Sequence, residues 1–151
     1  MFNFFPKKKL LLPEQERLVA LAIEDAEKQT SGEIRVYMES RNPLMSTLDR
    51  AANLFVEMGM QKTEKRNGVL IYLATKDREV AIVGDEGIHH IVGTAYWNLR
   101  IEEMIACFKN NQVAPGLVNC INLVGAVLSE KFPYVSGSDK NELSDEIHYG
   151  K

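Results

Sequence analysis

Two cysteines, three histidines and one tryptophan stand among 151 residues, and each scarcity removes a class of protein. No Cys-x-x-Cys pair occurs, and Cys107 and Cys120 each fall on the apolar stripe of an expected helix, which reads as two reduced core thiols. His89 and His90 are sequence neighbours about 100° apart on a helix, a spacing that one metal rarely takes, so a zinc site is not indicated. Ten glycines and five prolines are too few for a collagen-like or low-complexity chain. No uninterrupted apolar run approaches the ~18–20 residues of a membrane-spanning helix. Neither sign of charge dominates: 18 basic and 21 acidic side chains leave −3, which argues against a dedicated nucleic-acid partner. The enzyme signatures G-x-x-x-x-G-K-[ST], G-x-G-x-x-G, G-x-S-x-G and H-E-x-x-H are all missing.

With 45% hydrophobic and 26% charged residues, the chain reads as one globular domain able to bury its own core. At the N-terminus Phe2, Phe4 and Phe5 precede Lys7, Lys8 and Lys9, the reverse of a secretory signal, so the expected location is the cytoplasm. Residues 1–12 read as an extension, either docked or in weak peripheral contact with an anionic membrane surface. Pro13, Glu14 and Glu16 open a helix carrying Val19, Ala22, Ile23 and Ala26, which Gly32 closes. Strict alternation over Glu33–Glu39 places Ile34, Val36 and Met38 on one face of a strand. Leu48, Ala51, Ala52, Phe55 and Met58 mark a second helix.

Residues 68–75 are continuously apolar, as in a strand buried on both faces, and residues 79–84 return as a hairpin through Lys76-Asp77-Arg78. Two long helices follow, one with Trp97, Ile101, Met104, Ile105 and Phe108 on a face, the other with Leu117, Cys120, Ile121, Val124 and Leu128. Pro133 stops the last, and residues 134–151 read as an acidic, flexible tail. Strand, helix, strand implies a parallel unit, to which the hairpin adds an antiparallel strand. Four helices exceed one face of three strands, so the expected architecture is a three-layer α/β/α sandwich around a small mixed sheet over residues 13–133.

That topology brings the starts of the first two strands to the same edge as the end of the third. Glu33, Asn67, Asp85 and Glu86 would meet there beside glycines that let carbonyls approach. Carboxylates, an amide oxygen and carbonyls are hard ligands, suited to Ca²⁺ or Mg²⁺. The competing reading makes Gly84-Asp85-Glu86-Gly87 a strand-to-helix turn, with acids at a helix N-terminus. Arg66, next to Asn67, would partly repel a cation.

These residues also carry a family resemblance. Thr30-Ser31-Gly32-Glu33-Ile34-Arg35-Val36, Arg66-Asn67-Gly68-Val69-Leu70-Ile71 and Ile82-Val83-Gly84-Asp85-Glu86-Gly87-Ile88 resemble successive blocks of the TPM-domain family, and Phe108-Lys109 with Gly116-Leu117 resemble a later one. The family includes plant thylakoid-lumen proteins linked to photosystem II repair and many bacterial proteins. The resemblance implies an α/β/α sandwich, divalent cation binding (Ca²⁺ in particular) and an acid phosphatase activity. It places an Asp where this chain has Arg66 and an acid near Gly93, so both departures replace negative charge. The tail Asn141–Ile147 resembles the acidic ending of stand-alone bacterial members and suggests a docking peptide.

Two functions are therefore weighed. The first is a cytoplasmic, monomeric binding module that uses the strand edge, with Ca²⁺ or Mg²⁺ as a candidate cofactor, to recognise a protein partner. The alternative is a metal-assisted phosphomonoesterase with Arg66 and Asp85 as its catalytic candidates.

Overall fold

The computed structural model describes residues 11–43, 46–135 and 147–150 of the chain. The N-terminal aromatic and lysine clusters, and residues 136–146 and 151 of the acidic tail, lie outside the described residues. Helix α1 (Pro13–Glu27) opens with Pro13 in its first turn and with the Leu12 N–H donating to Gln15 Oε1 at 2.9 Å. It stops five residues short of Gly32, since Glu27 is its last residue. The chain turns instead through Thr30, whose hydroxyl donates to the Leu128 carbonyl at 3.1 Å and to that of Phe132.

Strand β1 (Glu33–Glu39) leads into α2 (Thr47–Glu57), capped by Ser46 Oγ, which accepts from the Asp49 N–H at 3.1 Å. Strand β2 (Gly68–Ala74) runs parallel to β1, and β3 (Glu79–Gly84) pairs antiparallel with β2. Helices α3 (Glu86–Lys109) and α4 (Val113–Lys131) complete the helical set. In α3 the run is broken at Gly93, where φ is 79° and ψ 169°, a region open essentially to glycine alone.

A fourth strand, β4 (His148–Tyr149), pairs parallel with β1, giving the order β3-β2-β1-β4. Gly150 N–H donates to the Met38 carbonyl at 2.7 Å, and Ile147 is buried in the core. The sheet thus extends beyond Pro133, where the sequence reading ends the domain; two paired residues are too few to show a strand periodicity.

The layers follow from the pleat. Ile34, Val36, Met38, Val69, Ile71, Leu73 and Ile82 share one face and pack with α1, α3 and α4. Leu70, Tyr72, Ala74 and Ala81 share the other and pack with Ala51, Leu54 and Phe55 of α2. This is the three-layer sandwich expected. Helix α4 is long and apolar enough to cross a membrane by length and composition. Here Leu117, Cys120, Ile121, Val124 and Leu128 of α4 are buried in the core of the sandwich.

Alternation in β1 puts Arg35 and Glu39 on the face opposite Ile34, Val36 and Met38, and that face too is covered. Arg35 is fully buried and ion-paired with Glu27 of α1; Glu39 is buried under α2. Arg50 of α2 forks onto Glu39, with Nε to Oε2 at 2.8 Å and Nη2 to Oε1 at 3.0 Å, and the Tyr72 hydroxyl donates to the same carboxylate. A buried carboxylate is tolerated only when charge and hydrogen bonds compensate it. Burial, and then the bond to Glu39, hold the Tyr72 phenol above its ordinary range.

Candidate functional site

The edge that topology singles out does form. Glu33 pairs with Gly68 in the parallel ladder, and the Asp85 N–H donates to the Gly68 carbonyl at 2.9 Å, so the backbones of Glu33, Gly68 and Asp85 lie in a row. Asp85 follows the last residue of β3 and caps α3, its Oδ1 accepting from the Glu86 N–H at 2.8 Å. Glu86 is the first residue of the helix. The strand-to-helix turn reading therefore describes these two acids structurally.

Arg66 dominates the site. Its Nε donates to Asp85 Oδ2 at 2.7 Å and its Nη2 to Oδ1 at 2.8 Å, a bidentate fork; its Nη1 reaches Glu86 Oε1 at 3.4 Å. Side-chain exposure is 43% for Arg66 and 6% for Asp85, so one end of the fork is wet and the other dry. The bond to Asp85 raises the guanidinium above its ordinary range, opposed by desolvation. Backbone bonds hold Arg66 in place: its carbonyl accepts from the Gly87 N–H at 2.8 Å, and its own N–H donates to the Thr63 carbonyl at 3.2 Å. At φ 52° it occupies the left-handed region, where Asn, Asp and Gly are more at ease than Arg.

Asn67 is buried. Its Nδ2 donates to Ser31 Oγ at 3.1 Å, while its buried Oδ1 meets no hydrogen-bond donor among the described residues. Glu33 is half-buried at the start of β1.

Ca²⁺ takes six to eight oxygen ligands, commonly several carboxylates, and Mg²⁺ is bound through one or two. Both oxygens of Asp85 accept from Arg66, and Glu86 leans on the same guanidinium. Among the described residues no three His, Cys, Asp or Glu side chains gather into a metal-holding group. With Arg66 seated, the donor set does not fit a divalent cation: a fixed monovalent cation of the chain itself stands where one would bind.

Sequence reasoning missed the fork, because it treated Arg66 as a repulsive neighbour of a cation or as a holder of substrate phosphate, and not as a partner of Asp85. Arginine opposite an aspartate across a hairpin base was the available signal. Sequence reasoning also missed the tie from Trp97 Nε1 to His89 Nδ1 at 3.0 Å, which fixes the indole against β3 and joins the sole tryptophan to a histidine two turns away.

A family model described as "TPM domain" matches residues 6–127. No curated protein matches. Among solved structures, the BA42 protein of the psychrophilic bacterium Bizionia argentinensis superposes with a TM-score of 0.85 at 36% identity, covering 96% of this chain and 99% of that one. An N-terminal domain from P. gingivalis gives 0.68 at 21% identity, covering 82% and 79%. The N-terminal domain of cg2496 from Corynebacterium glutamicum gives 0.65 at 14%, covering 94% and 95%; these last two likenesses concern the fold alone.

Proposed function

The chain belongs to the TPM-domain family, and from that premise we propose that it is a non-catalytic binding module that recognises another protein with the Arg66–Asp85–Glu86 edge of its sheet. The observation that carries the reading is the fork of Arg66 on Asp85. The Asp85 carboxylate accepts two guanidinium bonds and the Glu86 N–H, which fill three of its roughly four acceptor sites, and the paired Arg66 charge opposes both a metal and a proton there. What the edge offers instead is a fixed pattern of charge. Arg66 is half exposed and Glu86 more so, the first fixed in the left-handed bend that leads into β2 and the second in the first turn of α3. Such preformed patterns give orientation and specificity in protein contacts.

In this reading the surface works without resident Ca²⁺ or Mg²⁺, Arg66 supplying the positive charge. The protein acts as a cytoplasmic monomer, a setting that keeps Cys107 and Cys120 as the free thiols they are. The phosphomonoesterase alternative asks Arg66 to hold a substrate phosphate. Its Nε and Nη2 are already committed to Asp85, so the alternative gains no support from this geometry.

The test is a pair of assays on the full chain. Proteins captured from its native cell extract are compared between the parent, Arg66→Ala and Glu86→Lys, and p-nitrophenyl phosphate turnover is followed with added Mg²⁺ and Ca²⁺. The reading expects a partner that binds the parent and is lost from both variants, with turnover at the buffer rate. Turnover by the parent that Arg66→Ala abolishes would replace it with the phosphatase reading.

A further inference from the structure

Strand β3 ends the sheet, and no described residue pairs with its outer side. Because Gly68 and Asp85 form a hydrogen-bonded pair, alternation turns the N–H and C=O of Glu79, Ala81 and Val83 towards β2. Those of Val80, Ile82 and Gly84 point outward, and no described residue bonds to them. Natural sheets blunt such an edge with lysine, proline, a bulge or a covering element. Residues 80–84 are Val-Ala-Ile-Val-Gly and carry none of these residues.

Around this edge lies a groove of about 420 Å³. Thr47 and Leu48 of α2 form one wall, and Thr94, Trp97, Asn98 and Ile101 of α3 the other. His89 is the only ionisable residue among the described residues lining it, so a charged insert would find no fixed opposite charge among them. A second copy of the chain is a poor occupant. Strands pair about 4.8 Å apart, whereas the helix over each β3 needs ~8–10 Å from its symmetry mate. A bare extended segment brings no helices and meets no such limit. The fold already uses this mode on its other edge, where Ile147–Gly150 lies along β1 with Ile147 buried.

We propose that the outer edge of β3 is a strand-addition site for an extended, uncharged segment of a protein partner, its backbone pairing with Val80, Ile82 and Gly84 and its alternate apolar side chains filling the groove beside Trp97. This surface is separate from the Arg66 edge and stands whether or not that edge binds.

A random-peptide library displayed on phage, selected against the immobilised full chain, provides the probe. Enriched peptides are then titrated while the fluorescence of Trp97 and the backbone-amide NMR spectrum are followed. Expected are peptides that alternate apolar and polar residues without charge, with saturable shifts and slowed hydrogen exchange at Val80, Ile82 and Gly84. Val80→Pro removes an outward donor without breaking the ladder to β2, and should weaken binding on the order of tenfold. Leu48→Glu, at an exposed first-turn position of α2 where an acid suits the helix, should do the same with the fold intact. Enrichment of nothing above the bare support overturns the proposal, as do shifts centred elsewhere or unchanged affinity in Leu48→Glu. Slow exchange at those three amides in a peptide-free dimer would make the second copy the occupant and overturn it equally.

Discussion

Gly87→Ala is a substitution whose sign separates two accounts of the site. In an ordinary first turn of a helix the change stabilises, by up to ~1 kcal/mol from propensity. Here a Cβ at position 87 would stand 2.6 Å from the Arg66 carbonyl oxygen and closer still to that of Lys65. Ordinary contact begins near 3.4 Å, so the segment must retreat by about 0.8 Å at the Arg66 carbonyl and by more at that of Lys65, and both obstacles are backbone. That retreat breaks the bond from Gly87 N–H to the Arg66 carbonyl and draws the guanidinium off Asp85. Overpacking costs ~1–3 kcal/mol and the lost bond ~1 kcal/mol, so the net is ~2 kcal/mol of destabilisation after the helix gain. For a domain of this size that lowers Tm by ~4–8 °C. Thermal and urea unfolding measure it, and the Arg66 Nε–H resonance reports the fork separately. A variant as stable as the parent, with that resonance unmoved, would refute the claim that Gly87 lets the two segments lock together.

Tyr72→Phe leaves the Arg50 fork on Glu39 but removes one donor, and should cost ~1–2 kcal/mol in urea unfolding; a loss below ~0.5 kcal/mol would mean the hydroxyl is replaced by water. Burial pushes the Cys120 thiol up from 9.0 to about 12, so the folded state keeps a proton that the unfolded chain releases. Stability from this group is therefore complete below pH 9 and falls as pH climbs towards 12, with the raised Tyr72 and Tyr149 phenols adding to the loss above pH 10. A urea midpoint that holds or rises over that range would contradict it. Arg66→Asp frees Asp85, presents a further carboxylate in a left-handed position that Asp tolerates, and leaves the Asn67 Oδ1 as an acceptor. The folded variant should gain Ca²⁺-dependent amide shifts at Asn67 and Asp85, and their absence would show that Arg66 is not what keeps a cation out.

What was legible in the sequence was what depends on local period. Alternation over Glu33–Glu39 predicts a strand with the observed bounds, the apolar run over 68–75 predicts one that in the structure ends a residue earlier at Ala74, and the hairpin turn falls where Lys76-Asp77-Arg78 puts it. Topology then sufficed to bring Glu33, Asn67 and Asp85 to one edge. The rest depended on partners far apart in the chain. Arg35 and Glu39 look solvated in a strand read alone, and are buried because Glu27 on α1 and Arg50 on α2 neutralise them. Similarly, Arg66 and Asp85 are 19 residues apart, and only the left-handed turn at Arg66 aims one at the other. The break of α3 at Gly93 was hidden because the apolar spacing resumes beyond it.

The most direct test of the claim that Arg66 takes the place of a divalent cation is a backbone-amide NMR titration of the parent chain with Ca²⁺ and then Mg²⁺ at physiological ionic strength. The account predicts no saturable, localised shift at Glu33, Asn67 or Asp85–Gly87 up to millimolar ion. Saturable shifts at those residues would show that the fork opens and yields Asp85 to the metal, and would contradict it.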